Sequence, residues 1–251
     1  MNPFLKEHKQ TSIFITAGYP ELNSLETQIT FLQNQRVDFI EIGIPFSDPL
    51  ADGPTIQESS AVAIANGMSI EELFTQLRTI KPNVKVPLVL MGYLNPVMQY
   101  GFEKFLEACD ELEIRGLILP DLSFELYEKK YNTFFEKHNV KLCFLVTPQT
   151  ENNRIKKIAE QCRKSFVYLV SQNSITGGSL TFDQNLNVRY SEIKNLCGST
   201  PLFLGFGIDS AEKRATAFEA CDGVIIGTAY LKALKKKENE RFLEDILNKV
   251  E

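Results

Sequence analysis

Histidine is close to absent from this 251-residue chain: His8 and His138 are the only two, both in polar, helix-like segments. Residues so placed belong on the surface, which argues against a histidine-based triad or metal centre. The five cysteines (Cys109, Cys143, Cys162, Cys197, Cys221) are odd in number and scattered, with no Cys-x-x-Cys pair. That is a pattern of reduced thiols, not of a disulfide framework or a zinc site. No apolar run is long enough to span a bilayer, and residues 1–10 lack the apolar core of a signal peptide. A basic excess is missing too. The net charge of -5 argues against a nucleic-acid or anionic-membrane partner. These absences leave a soluble, cytoplasmic protein whose acid–base chemistry falls to carboxylates and tyrosines.

Short β-rich apolar runs alternate with helical-period segments along the whole chain. The spacing predicts strands over 13–16, 39–44, 88–91, 116–119, 142–146, 166–170, 202–204 and 223–226. Amphipathic helices are expected over 24–35, 70–80, 102–112, 125–138, 153–162, 188–196, 211–220 and 241–250. Eight strands, each followed by helix, without a linker or a break in composition, predict a single (β/α)₈ barrel domain over residues 1–251 with extra short helices. A doubly wound open sheet is the alternative, less suited to eight evenly spaced repeats.

The most informative stretch runs from Asp38 to Pro54. Ile40, Ile42 and Ile44 share one face of a strand, and Glu41 stands on the other with Phe39 and Gly43. A carboxylate in an apolar strand is expensive to bury unless it is paired, protonated or used. Prolines and glycine then force a loop that carries Asp48 and Asp52. Two carboxylates in different environments can act as acid and base; equally, Glu41 could be structural and the aspartates turn-capping. The residues alone leave both readings open.

In a barrel the site lies at the carboxyl ends of the strands. No lysine stands there, so a Schiff base is poorly supported. No cluster of His and carboxylate suggests a metal either. Glycines do gather at the last strand ends, as Gly177-Gly178, Gly205-Phe206-Gly207 and Gly227-Thr228. Backbone N–H groups at a short helix opened by Thr228 can hold a phosphate without a basic side chain. The long polar segment 172–187 reads as a lid. The loops at Pro45-Phe46, Pro49-Leu50 and Leu94-Asn95-Pro96-Val97-Met98 are apolar enough to pack inward or to dock another protein.

Glu41-Ile42-Gly43-Ile44-Pro45-Phe46-Ser47-Asp48-Pro49-Leu50-Ala51-Asp52-Gly53-Pro54 closely resembles the signature of the tryptophan synthase alpha subunit family. Leu119-Pro120-Asp121-Leu122, Gly205-Phe206-Gly207-Ile208 and Gly227-Thr228-Ala229 resemble further blocks of that family, in the same order. The resemblance implies a (β/α)₈ lyase that cleaves indole-3-glycerol phosphate to indole and glyceraldehyde 3-phosphate. It implies an alpha-beta-beta-alpha heterotetramer, with pyridoxal phosphate only in the beta subunit and no cofactor in this chain.

By the same resemblance, Glu41 handles protons at indole C3 and at the side-chain hydroxyl, and Asp52 accepts the indole N–H. Tyr168 matches a tyrosine near Glu41, with core packing as its other reading. Gly177, Phe206, Gly207, Gly227 and Thr228 match the phosphate site. Phe14, Ile56, Met91, Tyr93 and Ile118 match the indole pocket, or else fill core. Pro45, Asp48 and Asn95 match the surface that meets the beta subunit. Ser174 stands where the lid pattern has glycine, and Gln172 where some members carry arginine. If that glycine needs a positive φ, serine there strains or re-routes the loop at a cost of about 1–2 kcal/mol. Two alternatives follow: a weakened subunit that mainly activates its partner, or a stand-alone lyase.

Overall fold

A computed structural model describes residues 2–171, 184–205 and 207–248. Its strands are β1 (Gln10–Thr16), β2 (Phe39–Gly43), β3 (Leu88–Met91), β4 (Gly116–Ile118), β5 (Lys141–Leu142), β6 (Leu145–Val146), β7 (Val167–Val170), β8 (Leu202–Gly205) and β9 (Gly223–Ile226). All pair in parallel, in the order β5-β4-β3-β2-β1-β9-β8-β7-β6. The expected fifth strand therefore contributes two short ladders. Its start pairs with β4 and its end with β7, with only Cys143 and Phe144 between. The Cys143 N–H donates to Leu117 O and the Tyr168 N–H to Phe144 O, both at 2.9 Å. The two ends of the sheet thus meet on one stretch of chain, and the sheet closes into the (β/α)₈ barrel. Stagger between the strands of a barrel explains why this one pairs to one side and then to the other.

The strands are buried on both faces, as parallel strands covered by helices must be. Alternation decides what enters the barrel. Phe39 and Glu41 on β2 share the inner face; Glu41 lies opposite Phe14 on β1 and Val89 on β3. At the amino-terminal end, Phe4 packs on Phe39 and Phe166 with ring centroids 5.2 and 5.0 Å apart. Phe203 completes this plug, 5.1 Å from Phe39 and 4.9 Å from Phe166. Gln10 Nε2 donates to Phe4 O at 2.6 Å, which ties the N-terminal segment under the barrel.

Two helices lie where no helix was read. Pro54–Ala65 starts with proline at its first position after Gly53, a placement that suits proline because that N–H is free anyway. Leu94–Tyr100, expected to be a loop, is helical because Asp121 caps it from outside: the Leu94 N–H donates to both Asp121 oxygens at 2.9 and 3.0 Å. The expected helix over 125–138 forms as one continuous helical run, Phe124–Leu126, Tyr127–Tyr131 and Asn132–Glu136, with its middle segment widened to π-type winding. Ile70–Ile80 forms as read, its N-terminus capped by Ser69, which accepts from the Glu72 N–H at 3.1 Å. Among the described residues no helix is long and apolar enough to cross a membrane.

Candidate active site

A cavity of ≈ 740 Å³ lies at the carboxyl end of the barrel, and Glu41 reaches it from β2. Glu41 is 1% exposed. Its Oε2 is buried without a hydrogen-bond partner among the described residues. Burial first, and the nearby Asp52 charge second, push its carboxyl up to about 8. An isolated acid in an apolar barrel takes up a proton because its charged form has lost water and gained no cation.

Asp52 follows the proline-stiffened loop and immediately precedes the cap of helix Pro54–Ala65. Its Oδ2 accepts from the Tyr93 hydroxyl at 3.1 Å, while Oδ1 is buried and unpartnered. Burial raises this carboxyl to about 6, and the bond from Tyr93 holds it from rising further. Near neutral pH, then, Glu41 is mostly protonated and Asp52 mostly ionised. Neighbouring carboxyls held apart in this way have the arrangement of an acid and its charged companion.

Tyr168 enters the same cavity from β7. Burial, then Glu41, then Asp52 raise its phenol well above the ordinary value, so it is neutral and close to both acids. Room for it comes from Gly205 on the neighbouring strand, where any Cβ would collide with the Tyr168 hydroxyl. Gly43 makes similar room for the Phe14 ring. Gly205 is therefore explained by packing, although sequence alone grouped it with the phosphate glycines.

Of the expected indole-pocket residues, Phe14, Ile56 and Met91 line the cavity. Ile56 is held there by helix Pro54–Ala65, which is tied to β1 through the Thr16 and Ser59 hydroxyls at 2.7 Å. Ile118 is fully buried beside Met91 in the β3–β4 ladder and is not part of the lining. Tyr93 is not part of it either; its hydroxyl is engaged with Asp52. Asp52 itself is at the edge of this lining, which includes the next four residues, Gly53 to Ile56. Sequence reading did not find Ile225 or Ile208 in that lining. Ile225 was accessible to it, since alternation with Gly223 points it inward.

The same cavity is also lined by Gly207, after β8, and by Gly227 and Thr228, after β9. Gly207 has φ +80°, a left-handed conformation that glycine takes without strain. Gly227 caps helix Thr228–Lys235, whose N-terminus opens on the cavity, and among the described residues no side chain caps its first amides. Free amides and the helix dipole suit an anion such as phosphate. Gly177 and Phe206, and with them the lid residues Gln172 and Ser174, lie outside the described residues. Among the described residues no three His, Cys, Asp or Glu side chains converge as metal ligands.

Asp48 is exposed and Pro45 half-buried on the loop after β2, and Asn95 is exposed on helix Leu94–Tyr100. Beside them Leu50 is 93% exposed and Met98 47%, an apolar surface in water.

The family described as tryptophan synthase alpha chain matches residues 4–251. The tryptophan synthase alpha chain of Flavobacterium psychrophilum is 46% identical over 235 residues, covering 93% of this chain and 92% of its own. That of Christiangramia forsetii is 44% identical over 231 residues, 92% of this chain and 90% of its own. Among solved structures, the tryptophan synthase alpha chain from Legionella pneumophila subsp. pneumophila superposes with a TM-score of 0.84 at 30% identity, covering 98% of this chain and 93% of that one.

Proposed function

This chain belongs to the tryptophan synthase alpha chain family, and we propose that Glu41 and Asp52 are its acid–base pair. The family's reaction is the carbon–carbon lyase step that cleaves indole-3-glycerol phosphate to indole and glyceraldehyde 3-phosphate in tryptophan biosynthesis. The observation that carries the assignment is the pair of buried carboxyl oxygens, Glu41 Oε2 and Asp52 Oδ1, that have no partner among the described residues. A polar atom left so in the interior is destabilising, and a ligand offering an N–H and a protonatable carbon would satisfy both.

Direct rupture of the bond between C3 and the side chain would leave an unstable carbanion. Protonation of C3 by Glu41 avoids it, and the cationic indolenine that forms is stabilised by the Asp52 carboxylate on its N–H. The bond from C3 to the side-chain carbon then breaks, and its electron pair restores the aromatic ring. The hydroxyl on that carbon loses its proton to the Glu41 carboxylate as the aldehyde forms. Glu41 has given one proton and taken one, and the acid is ready again. Tyr168, neutral beside both acids, fits a role in holding Glu41 against the substrate. Phe14, Ile56 and Met91 supply the apolar wall for the indole, with Tyr93 and Ile118 behind it. The amides of Gly207, Gly227 and Thr228, with Gly177 and Phe206, take the phosphate.

The chain requires no cofactor for these steps. We assign its partner as a tryptophan synthase beta subunit, in an alpha-beta-beta-alpha assembly, docked on Pro45, Asp48 and Asn95 around the exposed Leu50. Residues 1–251 are read as one barrel domain. The test is indole release from indole-3-glycerol phosphate, with and without the cognate beta subunit. A slow rate alone and a large rise with the partner support the reading. No indole in either case, with the beta subunit still stimulated, would leave a purely regulatory chain.

A further inference from the structure

Three loops at the top of the barrel meet in a hydrogen-bond network that the steps above do not use. The Tyr93 hydroxyl donates to Asp52 Oδ2 at 3.1 Å and accepts from the Ala51 N–H at 3.0 Å. These two bonds grip adjacent residues of the loop after β2 from the end of β3. The Tyr93 ring, 7% exposed, packs on Phe46 from the same loop with centroids 5.3 Å apart. Its own backbone is pinned in turn, because the next residue, Leu94, donates its N–H to both oxygens of Asp121 after β4.

We propose that Tyr93 is a positioning residue for the Asp52 carboxylate: it occupies Oδ2, turns Oδ1 toward the ligand, and favours the charged form. The proposal rests on the assignment of Asp52 as acceptor of the indole N–H. The direction of the bond follows from the network. The Ala51 N–H can only donate, so it takes a lone pair of the phenol oxygen and leaves the hydroxyl proton for Asp52. A carboxylate rotates easily about its last torsion; a donor on one oxygen fixes where the other points. The groups that face Asp52 are Glu41 from β2, Tyr168 from β7, and Tyr93 with Asp121 beyond it. No cation is among them, and burial opposes the charge. The Tyr93 hydroxyl is the one donor to the Asp52 carboxyl among the described residues, so it has this task to itself.

The test compares kcat/KM against pH for the full chain, Tyr93→Phe, Asp52→Asn and the double variant. Phenylalanine keeps the ring on Phe46 and removes only the hydroxyl. Tyr93→Phe should lower kcat about tenfold and move the acid limb up by about one pH unit. Asp52→Asn should lack that limb, and the double variant should be no worse than Asp52→Asn alone. A titration of the Asp52 carboxyl by carbon-13 NMR in the unliganded protein should read the same upward shift without turnover. A difluorotyrosine at position 93, a stronger donor of nearly unchanged shape, should move the limb the other way and covers the case in which Tyr93→Phe folds poorly. An unmoved limb in Tyr93→Phe and difluorotyrosine proteins, with the limb lost in Asp52→Asn, overturns the role of Tyr93 alone. A double variant much worse than Asp52→Asn also overturns it, since Tyr93 would then act elsewhere. Wild-type turnover and profile in Asp52→Asn overturn the assignment of Asp52 and this proposal together.

Discussion

At the amino-terminal end of the barrel Phe4, Phe39, Phe166 and Phe203 fill the interior with rings 4.9 to 5.6 Å apart, whereas at the carboxyl end the same strands surround a cavity of ≈ 740 Å³. Strand β2 contributes to both. Phe39 and Glu41 are two residues apart on one inner face, and both are buried almost completely. At Phe39 burial is favourable, since an aromatic side chain leaves water and meets its own kind. At Glu41 it is unfavourable to the charge, and the strain shows as a carboxyl pushed up to about 8. Stability is concentrated below and reactivity above, and the rigid strand between them lets the lower half hold the upper half in place.

That division makes its strongest demand on Glu41. Glu41→Gln keeps the shape and removes the proton donor, so indole release should fall by about 10³-fold or more, with unchanged binding of a phosphate ligand. Comparable turnover in the variant would take Glu41 out of the chemistry. Phe39→Ala should do the reverse. It should destabilise the fold by about 3–5 kcal/mol, read in a denaturant melt, while turnover per folded molecule stays near that of the parent. A large loss of turnover in the folded fraction would show that the two ends are not separable.

The pH dependence sharpens the contrast further. Glu41 is needed protonated and Asp52 ionised, so kcat/KM should be bell-shaped, rising through about 6 and falling through about 8. Stability carries the matching sign. A carboxyl whose folded value stands above its ordinary 4.5 costs nothing below about 4.5; from there to about 8 it progressively destabilises the native state. Glu41→Gln should remove that part of the slope, and Phe39→Ala should leave it. A stability profile unchanged by Glu41→Gln would place the raised carboxyl elsewhere. The smallest effect is expected at Thr228. Because backbone amides face the cavity there, Thr228→Ser should alter KM by less than about twofold; a larger change would give the side chain a part in binding.

Much of this arrangement was readable along the chain. Period-two alternation located the strands and put Glu41 on the inner face with Phe39. Proline and glycine density marked the loop that carries Asp52, and glycines at the last strand ends pointed to Gly207 and Gly227. Errors cluster where a distant residue overrides local preference. The apolar stretch at Leu94 is a helix because Asp121 caps it. The helix read over 125–138 does form, with only its middle segment, Tyr127–Tyr131, wound more widely than periodicity could show. Tyr93 matches the indole pocket by resemblance, and only the fold shows that its hydroxyl also reaches Asp52, 41 residues away.

The amino-acid order was enough to specify the strands, most of the helices, the inward acid on β2 and the family, because each depends on neighbours a few positions apart or on a continuous motif. Closure of the sheet through Lys141–Leu142 and Leu145–Val146, and the room Gly205 leaves for Tyr168, depend on strands brought side by side from distant parts of the chain. The separation of the two acids, one near 8 and one near 6, belongs to the folded state as well. Desolvation and electrostatic coupling act through space, and they exist only once the barrel has closed around both carboxyls.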